Sequence, residues 1–307
     1  MRPHRTLPCG RTVSVNHSMA NSYFYEDLVP GSEFDLGTFS VDSEKIKAFA
    51  KLTGDSHALH TDTDYALAAG FEGQLVHGAL MASFVIGQLV SMGVFNESVV
   101  AMKDLSWSFK KPIVANQSIT VCMQITERHL RDKGQTGVVG RRFLISSQDG
   151  QHLQEGYSSA VVRSRDAEGA VKNEESAPSF VSGAWVSKLA QALGRDEDFI
   201  AATSSFDGSI AFHFGQVSMG LRIYRGRVID SGRSVASDAT FSIGASCAVW
   251  LDFSRPPTNE FIPFAMADKF EVRGSTYEYL RMTRAVMAVT DQVRVLLAGA
   301  LKRRPDA

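Results

Sequence analysis

Cysteine is scarce in this chain. It occurs at Cys9, Cys122 and Cys247, three positions in 307 residues, and these positions are far apart. Small secreted domains that depend on disulfides carry closely spaced cysteines in even numbers, so this pattern argues against a disulfide framework. Because the pattern fits a reducing compartment, we expect a cytoplasmic protein.

Neither sign of charge is in excess, and long hydrophobic runs are missing. Lys and Arg number 32 against 33 Asp and Glu, which gives a formal net charge of -1. A nearly neutral chain gives no reason to expect nucleic acid or an anionic membrane as a partner. The most apolar stretch, residues 79–90, contains Gly87 and Gln88 and is shorter than the roughly 20 residues that a membrane-spanning helix needs. We therefore expect no membrane span.

The start of the chain lacks both acidic residues and an apolar segment. Arg2, Arg5 and Arg11 make it basic, but a secretory signal also needs an apolar core, which is missing here. We expect residues 1–21 to be an unstructured N-terminal extension. A transit peptide and a translation start at Met19 are the two alternatives.

The length and composition predict two domains. The chain is 44% hydrophobic, and a single core rarely serves much more than about 250 residues. Residues 165–179, with the sequence RDAEGAVKNEESAPS, are polar and almost without apolar side chains, as a linker should be. We therefore expect one domain at 22–164 and a second at 180–307.

The first domain changes its hydrophobic period part of the way along. Helical spacing predicts helices at about 43–53, 64–69 and 78–92. The third of these carries apolar side chains on more than one face, so it should be surrounded by other structure. Afterwards the period is two, which predicts strands near 105–109, 119–125, 140–147 and 157–163. The pattern indicates the α+β class, with a curled antiparallel sheet around one helix.

Several titratable side chains lie within one short segment, TGDSHALHTD. They are Asp55, His57, His60 and Asp62. A carboxylate and an imidazole five residues apart, in an irregular stretch between helices, can converge on one water molecule. Such a pair suits general acid–base catalysis, because the carboxylate accepts a proton while the imidazole can give or take one near neutral pH.

A glycine stands at the predicted start of the third helix. Gly78 follows His77, and its backbone N–H should be one of the unpaired donors of the first helical turn. The positive end of the helix dipole favours negative charge at this position. A thioester carbonyl oxygen that gains enolate character could be held there.

Together these segments resemble the signature of the MaoC-like, (R)-specific enoyl-thioester hydratases. In that family a Gly-Asp pair is followed, after four residues, by a catalytic histidine, and Ile/Val-His-Gly opens the central helix of a hotdog fold. TGDSHALHTD and FEGQLVHGALMAS match this pattern, as do the opening YEDLVPGSEFDLG and the passage LSWSFKKPIVANQSITV. The resemblance covers most of residues 22–163. It implies that Asp55 is the catalytic carboxylate, His60 the catalytic imidazole and Gly78 the oxyanion donor.

The resemblance also implies a reaction and partners. The substrate would be an enoyl or 3-hydroxyacyl thioester of coenzyme A or of an acyl carrier protein, hydrated or dehydrated without a metal or cofactor. The chain also lacks a P-loop and a convincing dinucleotide fingerprint. Because hotdog domains usually pair, a homodimer is expected. One face of the central helix would line the acyl tunnel, which makes Ser83, Ile86 and Leu89 expected substrate-binding residues.

One departure from the family pattern lies inside the segment that carries the chemistry. The family usually has Asn-Pro where this chain has His57-Ala58. Loss of the proline leaves the loop less rigid, and the changed side chain alters how Asp55 is held. The departure bears on rate and substrate more than on the identity of the site, and we place His57 among the substrate-binding residues.

Other interpretations of this segment stay open. Asp55 alone could cap a turn, and His60 alone could be a structural histidine. Asp55, His57, His60 and Asp62 could be metal ligands, although two histidines three residues apart in a loop are a weak metal signal. We expect His77 to orient the loop rather than to act as an acid or base. The alternatives to a hydratase are a non-catalytic acyl-thioester or lipid-binding protein and a hotdog thioesterase.

The second domain shows strand alternation and a long final helix. Ile210, Phe212 and Phe214 alternate, and a helix is predicted at about 276–301, while Asp207-Gly208 is expected to form a turn. The run DKFEVRGSTYEYLRMTRAVMAV resembles the C-terminal part of sterol-carrier-protein-like lipid-binding domains, where a strand ending in glycine leads into a helix. IAFHF and RIYRG would then be central strands. This resemblance implies that the domain holds an acyl or other apolar group, or docks a partner.

Overall fold

The computed structural model describes residues 22–93, 95–176 and 182–301. The N-terminal extension expected at 1–21 and the translation start at Met19 lie outside these residues. The chain divides into two compact units, Met1–Ala167 and Glu168–Ala307. The division falls inside the segment predicted as a linker, although much of that segment is helical.

The first unit contains one sheet and four complete α-helices in its described part. In chain order the elements are β1 (Glu33–Phe39), α1 (Ser43–Thr53), α2 (Ala58–Thr61), α3 (Thr63–Ala68), α4 (Gly78–Ser91), β2 (Val99–Phe109), β3 (Ile119–Arg131), β4 (Thr136–Ser147) and β5 (His152–Arg163). The sheet has the order β1-β3-β4-β5-β2, and all of its pairs are antiparallel.

Local signals set the helix ends. The side chain of Asp42 caps α1 by accepting from the Lys45 N–H at 2.8 Å, and α1 ends at Gly54, which has a left-handed φ of 83°. The side chain of Asp62 caps α3 in the same way. These residue types are favoured at such positions because they satisfy backbone groups that the helix leaves unpaired. As a result, the loop that carries Asp55 lies between α1 and α2.

One face of the sheet packs against α4. Inward side chains of β3 and β4, such as Met123, Val139 and Phe143, are fully buried in the same core as Met81 and Val85 of α4. This is the hotdog arrangement, an antiparallel sheet curled around a central helix, and it confirms the α+β class expected for this half of the chain.

Part of the surface of the central helix stays uncovered by the described residues, so the expectation that other structure surrounds it is met on one side only. Ser83 and Gly87 are exposed, and Val90 is 59% exposed. The sheet covers the face with Met81 and Val85 and leaves the opposite face open. The apolar side chains on several faces of α4 therefore exceed what the described residues bury.

The second unit also combines a five-stranded sheet with helices. Its elements are α5 (Ala167–Ser176, which begins at the boundary), α6 (Gly183–Leu193), α7 (Glu197–Ala202), β6 (Asp207–Phe214), β7 (Val217–Tyr224), β8 (Arg227–Gly232), β9 (Phe241–Ala245), α8 (Cys247–Ser254), α9 (Phe261–Met266), β10 (Glu271–Gly274), α10 (Thr276–Arg281) and α11 (Thr283–Leu301). The strand order is β10-β9-β6-β7-β8, in which β6 and β9 are parallel. Its core is rich in aromatic side chains, among them Trp185, Phe212 and Trp250.

Two predictions for the second unit need correction. Asp207-Gly208 begins β6 instead of forming a turn, because both residues pair with β7. The final helix is two helices, α10 and α11, separated at Met282. The expected strand ending in glycine does lead into a helix, at Gly274, and IAFHF lies in the middle strand β6. The likeness to lipid-binding domains stays a prediction.

No helix in the described part of the chain is long and apolar enough to cross a membrane.

Candidate active site

Asp55 lies in the loop directly after α1. The left-handed turn at Gly54 ends the helix, and the Asp55 N–H is 3.3 Å from the Thr53 hydroxyl that accepts its hydrogen bond. The side chain of Asp55 is 55% exposed, so its carboxylate can meet water or a ligand.

His60 lies in α2, and its ring is fixed by the main chain of a neighbouring loop. Its Nδ1 is 2.9 Å from the carbonyl oxygen of Leu75. Because a carbonyl can only accept, Nδ1 carries the proton and donates it, which leaves the Nε2 lone pair of the neutral ring available. The Gln74 side chain donates to the His60 carbonyl, and the Leu75 N–H donates to the Leu59 carbonyl at 2.9 Å. The imidazole is therefore oriented by several bonds between α2 and residues 74–75.

His77 lies against Asp55 and His60, a contact that we did not expect from the sequence. Its ring stacks on that of His60, with ring centres 3.9 Å apart and planes inclined by 25°. Its Nε2 donates to the backbone carbonyl of Asp55 at 2.9 Å and lies 4.0 Å from a carboxylate oxygen of the same residue. The side chain is buried, and its Nδ1 has no hydrogen-bond partner within the described residues. The sequence signal for this third member was the Val-His-Gly that opens α4.

The site also has the composition of a metal site. Asp55, His60 and His77 each offer one ligand atom, and these atoms lie within 4.8 Å of one another. This set differs from the one considered from the sequence. His57 instead caps α2, accepting from the Leu59 N–H at 3.2 Å, and Asp62 accepts from the Tyr65 N–H at 3.0 Å. His60 and His77 already direct one ring nitrogen each to a backbone carbonyl, a pattern that orients an imidazole for proton transfer as readily as for a metal.

Gly78 begins α4 next to these side chains. A Cβ atom at this position would lie 2.6 Å from the ring of Phe109, so only glycine fits without a shift of that ring. The side chain of His77 does not cap the helix. Within the described residues no group accepts from the Gly78 N–H, so this donor is free to meet an anionic oxygen at the positive end of the helix.

The expected substrate-binding residues of α4 do not form one surface. Ser83 is exposed, Ile86 is half-buried and Leu89 is 3% exposed in the core. Residues three apart on a helix advance by less than a full turn, so the two steps from Ser83 to Leu89 drift around the helix axis. Leu89 has turned into the core, while His57, the fourth residue of this group, lies beside His60 with ring centres 6.3 Å apart.

The geometry brings together an exposed carboxylate, an oriented imidazole and a free backbone donor. Such a set can take a proton from a bound water, return a proton and hold a developing negative charge. The arrangement has the composition that acid–base catalysis needs, and it lies in a hotdog domain.

Residues 27–144 match the family model described as MaoC like domain, so the first unit contains a MaoC-like domain over these residues. The (R)-specific enoyl-CoA hydratase of Aeromonas caviae is 33% identical over 82 residues, which are 27% of this chain and 60% of the relative. The mitochondrial 3-hydroxyacyl-[acyl-carrier-protein] dehydratase of Arabidopsis thaliana is 51% identical over 41 residues, 13% of this chain and 25% of the relative. The matched segments span less than two thirds of either relative.

Among solved structures, the MaoC-like dehydratase from Rhodospirillum rubrum is 23% identical with a TM-score of 0.43. That match covers 47% of this chain and 99% of the other.

Proposed function

We propose that the MaoC-like unit adds water to an enoyl thioester or removes it from a 3-hydroxyacyl thioester. The observation that carries this proposal is the arrangement of the His60 ring. Its Nδ1–H is committed to the Leu75 carbonyl, which leaves Nε2 available, and a ring nitrogen of His60 lies within 4.8 Å of an Asp55 carboxylate oxygen. The relative from Aeromonas caviae is named for hydration of this kind, which supports the same class of reaction here.

In the hydration direction, Asp55 and His60 Nε2 hold one water molecule. Asp55 accepts a proton from that water while the water oxygen bonds to C3 of the enoyl group. The electron pair of the C2–C3 double bond moves towards the thioester carbonyl, whose oxygen becomes enolate-like and accepts a hydrogen bond from the Gly78 N–H. The proton then reaches C2 with the participation of His60, so one water is added in total. Dehydration follows the same steps in reverse.

His77 has a positioning role in this proposal. Its bond to the Asp55 carbonyl fixes the loop, and its ring supports one face of His60.

The test is a reaction of the purified protein with crotonyl thioester, on coenzyme A and on a carrier-protein arm. We expect loss of the enoyl absorbance without release of free thiol. Free thiol would identify a thioesterase, and binding without either change would identify a non-catalytic thioester-binding protein. Either of these two results would overturn the proposal.

We also propose that the MaoC-like unit pairs with a second copy of itself. Among the described residues, strand β2 is hydrogen-bonded to β5 alone, so its other edge is unpaired there. Val100 and Met102 of β2 are 52% and 49% exposed. The open face of α4 adds further uncovered apolar surface, including Val90. Exposed apolar edge strands tend to pair with another strand, and a symmetric dimer would satisfy both features.

For the second unit we propose a binding role without chemistry of its own. The sequence likeness to lipid-binding domains points to an acyl or other apolar ligand. A cleft of about 610 Å³ lies between the end of β6 and the start of α8, lined by His213, Lys269, Phe270 and Arg273 among others. Its mixed lining suits a ligand with a polar end.

A further inference from the structure

A buried arginine lies on the helix-facing side of the sheet in the MaoC-like unit. Along β4, Val139, Phe143 and Ile145 point inward and are fully buried in the core that contains α4. Arg141 occupies the same alternating set, and only 6% of its surface is exposed. Buried arginines are rare unless they are paired, because removing the charge from water is costly.

The structure compensates this charge incompletely. Arg141 donates from Nη2 to the Ser158 hydroxyl at 2.8 Å, but its Nε is buried without a partner. Burial lowers the pKa of Arg141 to about 10, and Asp104 opposes that shift from beyond ion-pairing distance. The carboxylate oxygens of Asp104 already accept from the backbone N–H and the hydroxyl of Ser159. At neutral pH the guanidinium is thus a buried cation that lacks a carboxylate partner in the described part of the chain.

The next arginine on β4, in contrast to Arg141, has a carboxylate partner. Arg142 points to the other side of the sheet, where its Nε lies 2.5 Å from Glu155. Glu155 also accepts from the Tyr157 hydroxyl at 2.7 Å. The fold therefore pairs one of the two adjacent arginines and leaves the inward one with spare donors.

A row of apolar side chains connects Arg141 to the active site. Phe109 covers Gly78, and two residues back along β2 the Trp107 ring covers Gly156 and stacks on Phe143 with ring centres 6.2 Å apart. Leu105 comes next and stands opposite Ser158, the residue that holds Arg141. At about 3.3 Å per strand residue, the row from Phe109 to Leu105 spans about 13 Å. Phe109 and Leu105 are 57% and 41% exposed, so this row is open to a ligand.

We infer that Arg141 binds a carboxylate at the far end of the acyl group. The substrate class is then a thioester whose acyl chain lies along Phe109, Trp107 and Leu105 and carries a second, free carboxylate. Guanidinium binds carboxylate by charge-assisted hydrogen bonds, and the buried setting strengthens them. This inference rests on the proposed function, because it assumes that the thioester lies at Gly78.

The test measures binding, so it does not depend on turnover. The ligands are saturated acyl thioesters of coenzyme A, which cannot be hydrated. They form two series of matched length, one ending in a methyl group and the other in a carboxylate. Each ligand is titrated into the full chain in a calorimeter. We expect the carboxylate-ended ligand to bind more tightly at the length that reaches Arg141. In Arg141→Met this preference should fall by about 10- to 100-fold, the scale of a charge-assisted hydrogen bond. Arg131→Met, the same change at an exposed strand end, should leave the preference unchanged.

Thermal unfolding separates ligand binding from a purely structural role. Replacing an uncompensated buried cation by an apolar side chain should keep or raise the melting temperature, whereas loss of a structural arginine should lower it. An equal affinity for the two ligand ends in the native protein, or a preference that persists in Arg141→Met, would overturn the inference. Either result would leave the crotonyl thioester assay, and with it the proposed function, untouched.

Discussion

At the scale of single residues, the site consists of side chains whose orientation is set by backbone carbonyls. His60 and His77 each donate one ring N–H to a carbonyl, of Leu75 and Asp55 respectively. A backbone carbonyl can only accept a hydrogen bond, so each bond fixes which ring nitrogen of the neutral imidazole carries the proton. In the proposed reaction, protons move through Asp55 and Nε2 of His60, while His77 positions both.

The first prediction concerns these two groups. Asp55→Asn and His60→Gln should each lower kcat by about 100-fold or more, the usual scale for a positioned acid or base. Thioester binding should be largely kept, because the substituted side chains are close in shape. Steady-state kinetics on crotonyl thioester, with calorimetric binding of a saturated analogue, measures both quantities. Near-native turnover in Asp55→Asn would contradict the assignment of the pair.

The second prediction concerns the two residues that depart from the family pattern. His57 caps α2 and Ala58 is its first residue, where no carbonyl accepts from the Ala58 N–H within the described residues. Asparagine is also a good cap, and proline is favoured at the first helical position because its missing N–H is not needed there. His57→Asn with Ala58→Pro should therefore keep or raise activity and raise the melting temperature, since proline restricts the unfolded chain. Loss of activity in a folded double variant would show that His57 has a specific role.

At the scale of elements, helices α1, α3 and α4 were predictable and the pairing of strands was not. Asp42, Gly54 and Asp62 act within one turn of their own position, so the sequence alone could place the ends of α1 and α3. The stacking of His77 on His60 depends on how residues 74–77 bond to α2, a contact between segments that no local pattern encodes. The position of Arg141 at the inner side of β4 likewise depends on the register with β5. The open face of α4 was not predicted, because a helix with apolar side chains on all faces is expected to be buried. The sequence pattern does not say whether the same chain or a second chain covers it.

The third prediction tests the free edge of β2. Val100→Lys places a charge on the edge strand, where lysine opposes pairing with another strand. The mass in solution, measured by light scattering, should shift from dimer towards monomer. Leu52→Lys is the matched control, because Leu52 is an apolar residue of α1 that is 83% exposed and lies away from this edge. A native protein that is monomeric at all measured concentrations would contradict the proposed pairing.

At the scale of the whole molecule, the chain contains two units, each with a core of its own. Every residue proposed to act on the substrate lies in the first unit. The end of that unit is held by Glu26, whose carboxylate accepts from the backbone N–H groups of Arg165 and Asp166 at 3.0 and 3.2 Å. These bonds indicate how far a shortened chain must extend to remain intact.

The fourth prediction follows from this division. A fragment of residues 19–166 should fold and hydrate crotonyl thioester at a rate near that of the full chain, because it keeps Asp55, His60, Gly78 and the contacts of Glu26. Circular dichroism and the hydration assay measure the two properties. A folded but inactive fragment would show that later residues complete the site.

The counterpart fragment, residues 177–307, should bind a fluorescent fatty acyl probe. If it is folded and binds no such probe, the lipid-binding interpretation is wrong and a docking role remains for the second unit.

The strand order of the first sheet also governs when this protein can fold during its synthesis. In the part of the chain that the structure describes, strand β2 pairs with β5 alone, and β5 is the last strand of its unit to leave the ribosome. Until residue 163 is available, β2 and the apolar helix α4 before it have no completed sheet to join, and such unpaired segments are prone to associate with other nascent chains. Because long-range strand pairing is slow, we expect the nascent N-terminal half to need a chaperone until β5 has been synthesised. The second unit is synthesised only after β5 has become available to pair with β2.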